Sequence, residues 1–278
     1  MASASPKARA AEVEEVGTMP YPDSFTSGIY NLIFEALYKV EFFLETINSV
    51  INQSYKKFEI IIIYDDHDLT ELNFIKKIKR KDKKIKLIIN KKILGPGLSR
   101  NKGILFSRGE YIAFCDADDI WNKDKLKNQI KFMKSNNLNF SHTNYFVINK
   151  FGKKIGSFKV KKKIEYIDLL KSCDIGLSTV ILKKKILKKT KLFSKLKTKE
   201  DFNLWLNLIK NEKYLIGINL YLASWRKLEI SLSSSISQRL IDAFRLYYNY
   251  EKFNFFKSFF YVIRLSYFAY LKKTNIYK

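Results

Sequence analysis

The stretch EYIAFCDADDIW, Glu110 to Trp121, carries the reading of this chain. An apolar run with β-branched and aromatic residues ends in three carboxylates, Asp116, Asp118 and Asp119. In open α/β sheets the carboxyl ends of strands are where ligands bind. Acids crowded this closely repel one another, and burial raises the cost, unless a cation neutralises them. Hard oxygen donors of this kind suit Mg²⁺ or Mn²⁺, ions that keep waters and take substrate phosphates as further ligands. The bland alternative is a solvated acidic turn before the next helix.

Outward from this stretch, strand-like and helix-like pieces alternate. IYNLIFEALY (29–38) reads as a first strand, and VEFFLETINSVINQS (40–54) has apolar residues at helical spacing. FEIIIIY (58–64) is a continuous β-branched run, as in a strand buried on both faces. ELNFIKKIKR (71–80) reads as a helix, KIKLIIN (84–90) as a strand, GPGLSRNKGILFSR (95–108) as a loop and helix, and KDKLKNQIKFMKS (123–135) as a helix. This alternation predicts βαβ units and a mostly parallel sheet with helices on both faces. Beyond it, NFSHTNYFVIN (139–149) and GKKIGSFKV (152–160) read as a hairpin or strands. IEYIDLLKS (164–172), EDFNLWLNLIKN (200–211) and the aromatic, basic tail from Gln238 to Lys272 read as helices. Residues 1–25, rich in Ala, Ser, Glu and Pro, differ from everything after them and are expected to be a disordered or foreign leader.

Composition narrows the chemistry. With 278 residues, 46% hydrophobic and 15% aromatic, the chain has material for a sizeable core. There are 52 Lys+Arg against 27 Asp+Glu, a net charge of +25 that attracts polyanions: nucleic acid, an anionic membrane surface or a phosphorylated substrate. The abundance of Lys, Ile and Asn together is also what a biased genome produces. Only two histidines and two widely spaced cysteines are present, which leaves little for a His-based zinc site, a Ser-His-Asp triad or a disulfide framework. The expected compartment is reducing, and no apolar stretch is long enough to predict a spanning helix or a secretion signal.

Three more segments carry candidate chemistry. Asp65 and Asp66 follow FEIIIIY at another strand's carboxyl end, suited to hydrogen-bonding a base or ribose, or simply to a turn in which Asp68 or Thr70 caps the next helix. Arg100 opens a helix after a glycine loop, a place to meet phosphate. Glu200 and Asp201 open another helix, either as favourable N-terminal charges or as a general base.

Taken in order, the segments VEFFLETINSVINQSYKKFEIII, LSRNKGI, GEYIAFCDADDIWNKDKLKNQIKFM, DIGLSTVIL, EDFNLWLNLI and YLASWRKLEISLSS, with the tail from about Gln238, resemble the family 2 glycosyltransferases of the GT-A fold. The bacterial teichuronic acid biosynthesis type is the most similar subgroup. The resemblance implies a nucleotide-sugar half to about residue 122 and an acceptor half after it, making a domain over 26–235, with C-terminal aromatic and basic helices over 236–278. It implies an inverting, metal-dependent hexosyltransferase moving sugar from a nucleotide sugar, a UDP-sugar by family habit, to a glycan or lipid-linked saccharide in cell-surface polysaccharide synthesis. Asp65 or Asp66 would meet the nucleobase, with spacing from Glu59 favouring Asp65. Asp116 would meet the ribose or the metal, and Asp118 would coordinate the Mn²⁺ or Mg²⁺ that bridges the diphosphate, with Ala117 between them at the nucleotide. Asp201, beside Glu200, would be the base, and Arg100 and Arg226, the latter followed by Ser231 and Ser233, would lie near the diphosphate. Tyr38 stands where the family reads Pro-x-Tyr-Asn, but here the text is Ala36-Leu37-Tyr38-Lys39; after the second strand, Asp65-Asp66-His67-Asp68 likewise departs from the usual Asp-Asp-Gly-Ser. The tail predicts peripheral attachment at the cytoplasmic face of the membrane, the alternative being a helical pair packed on the catalytic domain. Two alternatives are a catalytically impaired scaffold module of the same fold and a basic nucleic-acid-binding protein, although no nucleic-acid partner is expected.

Overall fold

The computed structural model describes residues 26–36, 40–229 and 235–276. The leader over residues 1–25, Tyr38, and Ser231 and Ser233 lie outside these residues. The first strands follow the alternation in the sequence: β1 (Thr26–Ala36), α1 (Val40–Ile51), β2 (Phe58–Tyr64), α2 (Leu69–Lys81), β3 (Ile85–Ile89), α3 (Pro96–Phe106) and β4 (Gly109–Asp116). These four strands are parallel in the order β3-β2-β1-β4, with Glu35 in register with both Ile63 and Asp116. All four carboxyl ends therefore point the same way.

After β4 the sheet is mixed rather than purely parallel. The chain continues through β5 (Ile120–Trp121), α4 (Lys125–Ser135), β6 (Phe140–Ile148), β7 (Lys154–Phe158), β8 (Lys163–Glu165), α5 (Tyr166–Lys171) and β9 (Ile181–Lys183). It then forms α6 (Glu200–Glu212), β10 (Tyr214–Arg226), α7 (Ile236–Arg245) and α8 (Phe255–Ile276). Three-residue β9 runs antiparallel between β4 and β6, and β10 lies parallel to β6. Short β5 turns the chain after the acids back against β10. The β6–β7 hairpin forms as its sequence suggests. The 13-residue β10 has no counterpart among the expected strands. Its burial does not alternate cleanly, because its register slips twice against β6.

Strand β4 shows why the sheet centre is so apolar. Tyr111, Ala113 and Cys115 face one core with α1, β2 and α4, while Ile112 and Phe114 face a second core with α5 and α6. Both faces are dry, so a period-2 pattern is replaced by a continuous apolar run. Ile60 to Ile63 of β2 are likewise wholly buried, each such side chain worth roughly 1.5–3 kcal/mol in transfer free energy. The C-terminal helix is part of this packing. Tyr261, Val262 and Leu265 enter the second core, and Ile276 reaches the first.

Candidate active site

Strand β4 ends at Asp116, and a tight turn, closed by the Asp119 N–H donating to the Asp116 carbonyl, carries Ala117, Asp118 and Asp119. The three acids meet different surroundings. Asp116 keeps about a third of its side chain exposed, and its backbone N–H donates to Ser178 Oγ at 3.0 Å. Asp118 is buried. Asp119 is almost fully enclosed and accepts the backbone N–H of Arg226 at 2.9 Å. Burial, then the neighbouring charges of Asp118 and Asp116, push its carboxyl well above the usual range. The three carboxylates thus crowd a single turn.

Two arginines moderate it. The Arg100 guanidinium, buried on the second turn of α3, donates to Asp116 Oδ1 at 3.0 Å and to Glu200 Oε1 at 2.5 Å. It ties the strand-end acids to the opening of α6. Arg226 donates from Nε to the Asp118 carbonyl at 2.9 Å, from Nη1 to the Lys150 carbonyl at 3.0 Å, and from Nη2 to the Glu45 carboxylate. Its guanidinium is 1% exposed. Arg226 thus clamps the acidic turn.

Asp65 and Asp66 separate in the same way. Asp65 is wholly buried and accepts from Asn90 Nδ2 at 2.6 Å, Leu94 N at 2.9 Å and Gly95 N at 2.7 Å. It fastens the loop that enters α3, where Gly95 holds φ 81°, a left-handed conformation that a Cβ strains. Asp66 accepts the His67 and Asp68 N–H groups on Oδ1, while its buried Oδ2 meets no donor among the described residues. The spacing argument pointed to Asp65 as the ligand acid. Among the described residues, three donors occupy Asp65 and none meets Asp66 Oδ2. Asp68 caps α2, receiving the Thr70 and Glu71 N–H groups.

Glu200 and Asp201 open α6 behind Lys199, whose φ of 88° is left-handed. Burial raises the Glu200 carboxyl to about 7, with Asp201 adding to the rise and Arg100 opposing it. Asp201 is also raised, first by burial, against the pull of Arg100 and Lys199. Glu200 faces Arg100. Asp201 instead lines a cavity of about 510 Å³ together with Asp116, Asp119, Ser178 and Lys199. The far wall comes from α8, through Leu265, Ala269, Lys272 and Lys273. Ser178 lies in the DIGLSTVIL segment and the α8 wall in the C-terminal tail, but the sequence alone assigns neither a role in the site. Both are distant in sequence from the acids, so their place beside them follows only from the fold.

Among the described residues no group of three or more His, Cys, Asp or Glu side chains is arranged to hold a metal ion. Asp116 and Asp118 still fit one in chemical type. Magnesium-like ions commonly take one or two protein carboxylates and complete their shell with phosphate oxygens and water.

A parallel α/β half with acids at its strand ends, facing a cavity walled by a second half, defines a protein of the GT-A type. The chain belongs to glycosyl transferase family 2, whose family model matches residues 36–192. An uncharacterized glycosyltransferase of Haemophilus influenzae is 32% identical over 242 residues, covering 86% of this chain and 96% of its own. WfgD of Escherichia coli, a UDP-Glc:α-D-GlcNAc-diphosphoundecaprenol β-1,3-glucosyltransferase, is 35% identical across 68% of this chain and 74% of its own. TuaG of Bacillus subtilis, a putative teichuronic acid biosynthesis glycosyltransferase, is 29% identical across 77% and 85%. Among solved structures, S. aureus TarS 1–349 in complex with UDP-GlcNAc superposes with a TM-score of 0.63 at 18% identity, covering 82% of this chain and 69% of that one. The mannosyltransferase PcManGT of Pyrobaculum calidifontis, in complex with GDP-Man and Mn²⁺, gives 0.64 at 10% identity, covering 92% and 77%. These likenesses show the fold.

Proposed function

We propose that the chain transfers a sugar from a UDP-sugar to a lipid-linked glycan acceptor, inverting the anomeric carbon, in the assembly of a cell-surface polysaccharide. The observation that carries this reading is the Arg100 bridge. It places Asp116 and the opening of α6 on one guanidinium, so that Asp201 and Asp116 line the same cavity. A base and a diphosphate-side acid facing one space is what an in-line displacement between donor and acceptor requires. The donor and acceptor named for WfgD support the substrate classes.

In this mechanism Asp66 Oδ2 accepts a hydrogen bond from the nucleobase. Asp116 and Asp118 would hold Mn²⁺ or Mg²⁺, which when bound would neutralise charge growing on the departing nucleoside diphosphate. Asp201 takes the proton from the acceptor hydroxyl as that oxygen attacks. Its raised affinity for protons suits a base, and positioned general-base catalysis contributes typically ~10²–10⁴-fold. Glu200 holds Arg100, and Arg100 orients Asp116. A lipid-linked acceptor places the enzyme at the cytoplasmic face of a membrane. The test is to incubate the purified chain with a panel of nucleotide sugars and Mn²⁺ and follow transfer or hydrolysis. Turnover of one UDP-sugar, lost with chelator, is the expected result. Inertness toward every donor, with no calorimetric binding of UDP and Mn²⁺, overturns it.

A further inference from the structure

Helix α8 has two faces of opposite character. Its inward face enters the core and walls the cavity that Asp201 lines. On its outward face, Phe256, Phe259, Phe260, Ile263, Tyr267 and Tyr270 are 55–83% exposed. At 3.6 residues per turn, these six fall within one arc of roughly 100°. Ring contacts carry the patch onto α7: Tyr248 stacks on Phe244 at 5.5 Å, Phe244 meets Phe255 at 5.5 Å, and Phe255 meets Phe256 at 5.7 Å. Leu240 and Ile241 of α7 are exposed as well. Contiguous exposed apolar surface of this kind marks a contact site. Lys257 and Arg264 sit beyond one edge of the arc and Lys273 beyond the other, by the same helical geometry.

We propose that this aromatic face docks on an anionic bilayer, lying in the headgroup plane, so that the cavity behind α8 opens at the level of an acceptor's lipid-linked head. The inference rests on the lipid-linked acceptor reading and names the surface that would deliver that acceptor. Aromatic rings favour the membrane interface, and flanking Lys and Arg side chains reach anionic headgroups from its edges. No helix among the described residues is long and apolar enough to cross a membrane, so the patch lies on the bilayer rather than through it. Charge separates the bilayer from a second copy of the chain. A self-pairing would bring the cationic edges of two molecules, each at +25, against each other. An anionic surface complements them.

The test is co-sedimentation of the full chain with vesicles of phosphatidylcholine alone or mixed with phosphatidylglycerol, alongside light scattering for oligomeric state. The wild type is expected to partition onto the mixed vesicles. Phe256→Ser with Phe259→Ser and Phe260→Ser should lower partitioning on the order of tenfold or more, from the apolar area lost. Lys257→Glu with Arg264→Glu should erase the preference for anionic vesicles while the rings remain. None of these five side chains lines the cavity, so hydrolysis of the donor in lipid-free buffer should be unchanged in both variants. If the triple variant proves unfolded by circular dichroism, Phe256→Ser alone, at the most exposed ring, carries the comparison. Equal partitioning of wild type and ring variants overturns the proposal. So does a wild-type dimer that ignores vesicles and that the ring variants convert to monomer. Failure of the glycosyltransferase reading shows separately, as absence of donor turnover in lipid-free buffer whatever the vesicles do.

Discussion

At the scale of the residue, the site depends on a few charges that the interior would otherwise reject. Arg100 is the centre of them. Replacing it with Ala strands Glu200 in the interior and releases Asp116. Removal of one partner from a buried ion pair typically costs about 3–5 kcal/mol, and urea unfolding of Arg100→Ala should show a loss of that order. Asp201→Asn keeps the shape of the cavity but removes the base. Turnover should fall by roughly 10²–10⁴-fold while calorimetric binding of UDP stays near wild type. Unchanged turnover would refute the assignment. Lys125 offers a pH signature unrelated to catalysis. It is fully buried, donates to Gln129 Oε1 at 2.7 Å and to the Thr179 carbonyl at 3.1 Å, and burial lowers its pKa from 10.5 to about 7. Between pH 7 and 10.5 the unfolded chain holds a proton at this lysine that the folded chain has released. Its contribution to stability therefore rises with pH across that window. Lys125→Met should flatten that part of the curve of melting temperature against pH.

At the scale of the element, α3 shows how backbone placement serves the charges. A Cβ on Gly97 would come within 2.2 Å of the Ser194 carbonyl and 3.3 Å of Glu200 Cβ, so the helix start lies directly against the segment that leads into α6. The clash is with backbone, which cannot swing aside. Gly97→Ala should cost about 1–3 kcal/mol and, by pushing α6 away, weaken turnover more than donor binding. Comparison of Tm, KM and kcat checks both parts. This packing also bears on what could be read in advance. Strands β2 and β4 were legible because burial on both faces leaves an uninterrupted apolar run. Strand β10 was not, because its role is to bridge: Tyr214–Ile216 pairs with β8, Gly217–Arg226 with β6, and Ala223–Ser224 with β5. Each stretch answers a different neighbour, so no single period survives.

At the scale of the molecule, α7 and α8 belong to the catalytic body. Removing residues from 251 onward would uncover Tyr247, which stacks on Phe253 and packs against Tyr261, and would take Lys272 from the Cys173 carbonyl. Such a truncation should lower the melting temperature and aggregate, rather than yield a soluble active core; a monomeric, active truncation would contradict that. A tail read from sequence as a membrane element or as a packed helix is both packed and outward-facing, and these are two sides of one helix. The sequence by itself determined the order of strands and helices through β4 and the delivery of acids to strand ends, because local periodicity and runs of buried residues encode them. Only the tertiary structure decided which donors each acid of a pair meets. Asp65, unlike Asp66, takes donors from the loop entering α3, and Glu200, unlike Asp201, takes an arginine 100 residues away. A carboxylate's role follows from who donates to it and what excludes water from it. Neither is a property of its neighbours in the chain.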